Sequence, residues 1–238
     1  TSVTAYRTLQ TTGCPESMLA ETIGAPETFL GTATLAFLPS YQGVKLRIGV
    51  DAENIDTART EIDRIADYIY SRAGRYIYGE GESSLASAVG QELIKSGQTL
   101  STAESCTAGM LAAAVTDVAG SSKYYMGSIV AYHNNVKIEK LGVAPETLSA
   151  HGAVSEQTAL EMAINCRKEF GTDFSVSITG IAGPDGGTPE KPVGTVWIGI
   201  AGPRGASARM FSFGNERKIN RERAVGVALA ELLRAVKK

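Results

Sequence analysis

"GTVWIGIAGPRGASARMFSFG", residues 194–214, decides the fold class. Two runs rich in Val, Ile, Trp and Phe flank the turn "GPRG" at 202–205, a pattern that predicts a β-hairpin. Working outward, "GSIVAYH" (127–133) and "FSVSITG" (174–180) read as buried strands. The segments between and around them have helical period. Ser84 is placed to cap a helix carrying Leu85, Val89 and Leu93 that stops at Gly97, and Ser155 opens the helix "SEQTALEMAINCRKEF". Ala224, Ala228, Leu232 and Val236 put one apolar face on a terminal helix. Helices alternating with buried strands imply a layered α/β/α sheet, and the hairpin makes its strand directions mixed.

The first third of the chain has a different grain. "TLAFLPSYQGVKLRIGV" (34–50) alternates apolar and polar residues on both sides of "PSYQG", which predicts another hairpin. Asn54 caps a helix whose Ile55, Ala58, Ile62, Ile65, Ala66 and Ile69 recur at helical spacing, and a shorter helix is expected from Pro15 to Ile23. The Gly-, Ser- and acid-rich "YGEGESSLASAVG" marks the boundary. The expected organisation is a small α+β domain over residues 1–80 and an α/β domain over 81–238.

Composition narrows the classes of function. With 43% apolar and 20% charged residues in 238, the chain is ordinary globular material. Residues 1–82 hold seven Lys/Arg against eleven Asp/Glu, and the remainder sixteen against fourteen. Neither part has the basic stripe that a phosphate backbone requires, so nucleic acid is not an expected partner. No apolar run is long enough to cross a bilayer, so no membrane partner is expected. Cys14, Cys106 and Cys166 are odd in number and lack CxxC spacing, which argues against a disulfide framework and a zinc site. The expectation is a soluble cytoplasmic chain with no metal and no cofactor. The small first domain and the apolar terminal helix leave room for a homodimer.

Chemistry concentrates in "STAESCTAGMLAAAVTDVAG", 101–120. Ser105 and Cys106 stand between a short polar stretch and an alanine-rich run that favours helix. A side chain there is expected at a helix N-terminus, where unpaired backbone N–H groups could hold an oxyanion or an anionic substrate group. Ser105 or Thr107 could equally cap the helix. A serine nucleophile needs a base, and the chain has two histidines, His133 and His151, neither with an evident orienting carboxylate. A lysine neutralised by burial is the alternative. Lys137, between Val136 and Ile138, suits that role better than Lys140 beside Glu139. Cys106 is the rival nucleophile, or a packed neighbour. In the loop "TGIAGPDGGTPEKPVG" (179–194), Gly183, Gly186 and Gly187 permit close backbone approach to a ligand, although no dinucleotide or P-loop pattern is present. Arg217, Lys218, Arg221 and Arg223 open the last helix, with guanidinium forks suited to phosphate.

"AESCTAG", "AYHNNVKIEKLGV", "HGAVSEQTA", "TGIAGPDGGTPEKPVGTV" and "NRERAVGVALAELL", in this order and spacing, resemble the CinA family's C-terminal nicotinamide mononucleotide deamidase domain. Residues 1–80 resemble the family's KH-type middle domain. The resemblance implies hydrolysis of the carboxamide of nicotinamide mononucleotide to the nicotinate nucleotide and ammonia. Carried over, the family's serine falls on Ser105, its lysine base on Lys137 and its tyrosine on Tyr132. Backbone N–H groups near Cys106 and Thr107 would then hold the oxyanion, and Asn134 would be a hydrogen-bond partner within the site. The glycine loop, through Gly183 and Gly186, and Arg217 or Arg221 would hold the substrate's phosphate.

The chain departs from the family at two places. "CTAG" stands for the common "CTGG", so Ala108 replaces a glycine. "YHNNVK" stands for "YSNEAK", changing His133 and Asn135 while keeping Tyr132, Asn134 and Lys137. Nothing in the sequence resembles the family's N-terminal molybdopterin-binding-like domain or its associated pyrophosphatase activity. Two alternatives remain at this level: a non-enzymatic binding or scaffold protein linked to competence and DNA damage, and a serine hydrolase of another small amide.

Overall fold

In the computed structural model, which describes residues 2–237, the chain falls into two units, Thr1–Ala88 and Val89–Lys238, each with its own sheet. The first unit runs β1 (Val3–Thr11), α1 (Glu16–Ile23), β2 (Thr34–Ser40), β3 (Gly43–Ala52), α2 (Ile55–Ala73) and β4 (Ile77–Glu80). Its antiparallel sheet has the order β2-β3-β1-β4. The hairpin expected over 34–50 is β2–β3. Leu46, Ile48 and Val50 alternate inward and pack with Leu9 and with Ile62, Ile65 and Ile69 of α2. Asn54 Oδ1 accepts from Thr57 N at 2.9 Å, an N-cap of about 1 kcal/mol.

In the second unit the secondary-structure elements are α3 (Leu85–Ser96, straddling the division), β5 (Leu100–Glu104), α4 (Met110–Thr116), β6 (Tyr125–Val130), α5 (Asn134–Leu141), α6 (Pro145–His151), α7 (Glu156–Phe170), β7 (Phe174–Gly180), β8 (Thr195–Gly202), β9 (Gly205–Ser212) and α8 (Arg217–Lys237). The sheet order is β6-β5-β7-β8-β9. β6, β5 and β7 are mutually parallel, and the predicted hairpin β8–β9 adds two antiparallel strands. Mixed directions in one layered α/β sheet are thus as expected.

Helices cover both faces. Ser175 and Ser177 donate their hydroxyls to the carbonyls of Ala163 and Ala159, at 2.5 and 2.6 Å, which draws α7 onto one face. Gly199 is required there, since a Cβ would come within 2.6 Å of the Ala159 oxygen. Val176 and Ile178 are buried toward the other face, where α8 packs through Ala224, Ala228 and Leu232. Ser84 and Ser155 cap α3 and α7 as their positions suggest.

One reading of the sequence is corrected. The polar run before Ser105 is not a lead-in to a helix but an interior strand, β5, paired on both sides and buried along its whole length. Its polar groups find partners inside: Ser101 Oγ with Thr172 Oγ1 at 2.8 Å, and Thr102 Oγ1 with the Tyr125 hydroxyl at 2.6 Å. Among the described residues, no helix is long and apolar enough to cross a membrane.

Candidate active site

Three parallel strands end at one edge of the second sheet. Ser105 follows β5, Ala131 and Tyr132 follow β6, and the glycine–proline loop 181–194 follows β7. The carboxyl edge of parallel strands is where open α/β sheets bind ligands. A cavity of about 560 Å³ lies elsewhere, by Ile164, Arg167 and Gly202; neither Ser105 nor Lys137 lines it.

Ser105 and Lys137 meet at this edge. Lys137 Nζ lies 3.0 Å from Ser105 Oγ, 2.9 Å from the Ala131 carbonyl and 3.4 Å from the Tyr132 carbonyl. Helix α5 makes this reach possible. His133 Nδ1 accepts from Asn135 N and caps the helix, so that Lys137 falls one turn in and its stem points back toward the chain end of β6. The same helix gives Leu141 to a small core with Ala103, Ala131, Val143, Met162 and Cys166, and Val136 packs against it. Lys137 is 1% exposed, and burial pulls its amine below the ordinary lysine value. Cys106 is also buried, and burial pushes its thiol up to about 11, so at neutral pH it carries no thiolate.

The turn carrying Ser105 differs from expectation. Helix α4 starts only at Met110, with Gly109 as its N-cap, and neither Ser105 nor Thr107 caps it. The carboxylate of Glu104, on the last residue of β5, does so instead. It accepts from Gly109 N at 3.0 Å, Leu111 N at 3.0 Å and Ala112 N at 2.8 Å. The head of the helix is therefore already occupied by an anion. Ser105 N donates to Ile178 O, Ala108 N to Ser105 O and Met110 N to Thr107 O. The N–H groups of Cys106 and Thr107 donate to no backbone carbonyl among the described residues. Ala108 has φ of +50°, a left-handed conformation that costs a non-glycine residue about 1 kcal/mol.

The remaining candidates divide. Tyr132 is exposed, and its hydroxyl accepts from Arg217 Nη2 at 2.9 Å; its backbone carbonyl, rather than its hydroxyl, faces the amine. Arg217 Nη1 donates to the Gly183 carbonyl at 2.9 Å, so one guanidinium ties the end of β6 to the glycine loop. Arg221 Nη2 donates to the Thr107 carbonyl at 3.0 Å, while its Nε and the Thr107 hydroxyl are buried without partners. Asn134 begins α5, and Gly186, with φ of +91°, sits in the exposed part of the loop; no hydrogen bond joins either to the pair. His151 is exposed at the end of α6, where its carbonyl accepts from Lys191 Nζ.

Sequence reasoning overlooks two residues. Glu104 is one, and in the polar run "LSTAE" nothing sets its carboxylate apart from a surface one. Asn220 is the other: buried on α8, it donates Nδ2 to the carbonyls of Ala182 and Gly214 and so fixes the loop from beneath. Among the described residues, no group of three or more His, Cys, Asp or Glu side chains is arranged to hold a metal ion.

The chain matches the family model of the CinA C-terminal domain over residues 82–236 and that of the damage-inducible protein CinA KH domain over residues 6–79. A CinA-like protein of Chloroherpeton thalassium is 44% identical over 97% of this chain and 57% of its own length. One from Synechocystis sp. is 46% identical over 89% of this chain and 51% of its own length. The chain thus spans about half the length of these curated relatives. Among solved structures, the competence/damage inducible protein CihA of Agrobacterium tumefaciens is similar with a TM-score of 0.62 and 41% identity, over 65% of this chain and 94% of that one. The CinA superfamily protein ECK1530/EC0983 of Escherichia coli has a TM-score of 0.62 and 36% identity, over 63% and 88%. With one model covering most of the second unit and another most of the first, the chain belongs to the CinA family.

Proposed function

We propose that the second unit is a serine amidase that hydrolyses the carboxamide of nicotinamide mononucleotide to nicotinate mononucleotide and ammonia. The observation that carries this reading is the 3.0 Å contact between a buried lysine amine and a serine hydroxyl at the carboxyl edge of the sheet. Family membership supports the choice of substrate.

The contacts of Lys137 suit a base. The carbonyls of Ala131 and Tyr132 can only accept, so they engage two N–H groups and leave the lone pair of a neutral amine for the Ser105 hydroxyl. Lys137 takes the hydroxyl proton as Oγ bonds to the carboxamide carbon. The N–H groups of Cys106 and Thr107 hold the oxygen of the tetrahedral intermediate. The C–N bond then breaks, and the Lys137 ammonium returns its proton to the departing nitrogen, which leaves as ammonia. A water, deprotonated by the same amine, attacks the acyl ester, releases the carboxylate and restores Ser105. Tyr132 acts through its carbonyl on the amine, and its hydroxyl with Arg217 orders the loop under the phosphate. Arg221 and the loop glycines supply donors to that phosphate.

The test is ammonia release from nicotinamide mononucleotide by the chain and by Ser105→Ala. Turnover by the first and none by the second is expected. A chain inactive on the mononucleotide but active on nicotinamide, its riboside or an unrelated amide would assign a different substrate to the same pair. Equal rates from both chains would remove Ser105 as nucleophile.

A further inference from the structure

Among the described residues, two Asp, Glu, Lys or Arg side chains are buried, Glu104 at 0% exposure and Lys137 at 1%, and both adjoin Ser105. The chemistry above uses only the lysine. An ionised carboxylate in a protein interior must be held by donors or it would not persist there. Here it is held by three backbone N–H groups of the turn and helix that follow the serine.

We propose that Glu104 is the positioning residue for Ser105, its carboxylate clamping the 105–109 turn so that Oγ faces the Lys137 amine. This inference rests on the serine amidase reading. α4 is only seven residues long, and its N-cap is a glycine with no side chain. A helix that short does not hold its own first turn. The turn also contains Ala108 in the left-handed region, which it would leave if released. Fixing Gly109, Leu111 and Ala112 prevents that movement. It also uses up the head of α4, whereas the N–H groups of Cys106 and Thr107 donate to no backbone carbonyl among the described residues. The same residue governs the other half of the pair. The Glu104 carbonyl accepts from Ala131 N at 2.7 Å, and the Ala131 carbonyl accepts from Lys137 Nζ.

A carboxylate suits the task better than an amide. Oε2 takes Gly109 N and Leu111 N, and Oε1 takes Ala112 N, so every neighbour is a donor. A glutamine could keep two of these contacts but would turn its own N–H groups against the third.

The experiment compares Glu104→Gln, Ala108→Gly and the double variant in the full chain. It reads kcat and KM for nicotinamide mononucleotide and the labelling rate of Ser105 by a fluorophosphonate. Glu104→Gln is expected to lower kcat and labelling by about 100-fold with KM changed by less than about twofold. Ala108→Gly, which lets the turn keep its shape without strain, should recover about tenfold in the double variant and change the parent's kcat less than about twofold. A Glu104→Gln chain within about threefold of the parent, or an equal effect of Ala108→Gly in both backgrounds, would overturn the proposal. Hydrogen exchange on the unmodified chain decides even if Glu104→Gln fails to fold: the amides of Gly109, Leu111 and Ala112 should be protected relative to Cys106 and Thr107, and equal exchange refutes the clamp. A parent that neither labels nor releases ammonia would sink the amidase reading itself, with the exchange pattern still deciding for or against the clamp.

Discussion

Replacing Lys137 by methionine tests the state of the amine directly. Methionine keeps the length and apolar stem and removes the proton. The amine's pKa in the folded chain lies below 10.5, its ordinary value, because burial penalises the charged form. Between those two values the unfolded chain holds a proton that the folded chain has released, so stability rises with pH through the window. The slope approaches about 1.4 kcal/mol per pH unit for one proton. Below the folded value, the desolvation penalty weighs on the fold in full. Lys137→Met removes this dependence. It also leaves the Ala131 carbonyl without its donor, an offset of about 1–3 kcal/mol that does not vary with pH. The assay is denaturant unfolding of both chains from pH 7 to 10.5, followed by fluorescence of Trp197, the single tryptophan, which lies on β8 in the same sheet as the site. The stability of the parent relative to Lys137→Met should climb with pH. Turnover by the variant should fall by at least about 100-fold, the least that loss of a general base costs. A difference in stability that stays flat across the range would mean an amine with ordinary acidity, and the base role would be refuted.

Three further outcomes are expected. Ser105→Ala should lower ammonia release by about 1,000-fold or more while Trp197 fluorescence stays native. Cys106→Ala should keep turnover within about tenfold of the parent, since its thiol is protonated and packed; complete loss with a native spectrum would make it the nucleophile. Ala108→Gly should stabilise the second unit by about 1 kcal/mol, read as a rise in its melting temperature of about 2–4 °C. An unchanged or lower temperature would show that the left-handed alanine carries no strain.

What the sequence reveals here depends on how far away each residue's partner lies. Asn54, Ser84 and Ser155 are legible as caps because the N–H groups they serve are three residues on. Both hairpins are legible because turn and strands are contiguous. β5 is not, because "LSTAE" is polar and its partners are distant: Thr172 lies 71 residues from Ser101. Glu104 is overlooked for the same reason, since a carboxylate in isolation looks like surface. Ser105 and Lys137 can be named from their chemistry and from resemblance, but the 3.0 Å between them depends on β5 and β6 pairing in parallel register. Arg217 reads as a free phosphate ligand, whereas both its amino groups are engaged by Tyr132 and Gly183.

The reacting pair hangs from β5 and β6, whereas the glycine–proline segment that would meet the rest of a substrate hangs from β7. On the amidase reading proposed above, the serine–lysine pair and the glycine–proline loop therefore sit on separate stretches of chain. Residues 184–190 are exposed, so their length and composition can drift without disturbing the serine or the amine. On that reading, exchange of this one segment would change what meets the pair while leaving the pair itself in place.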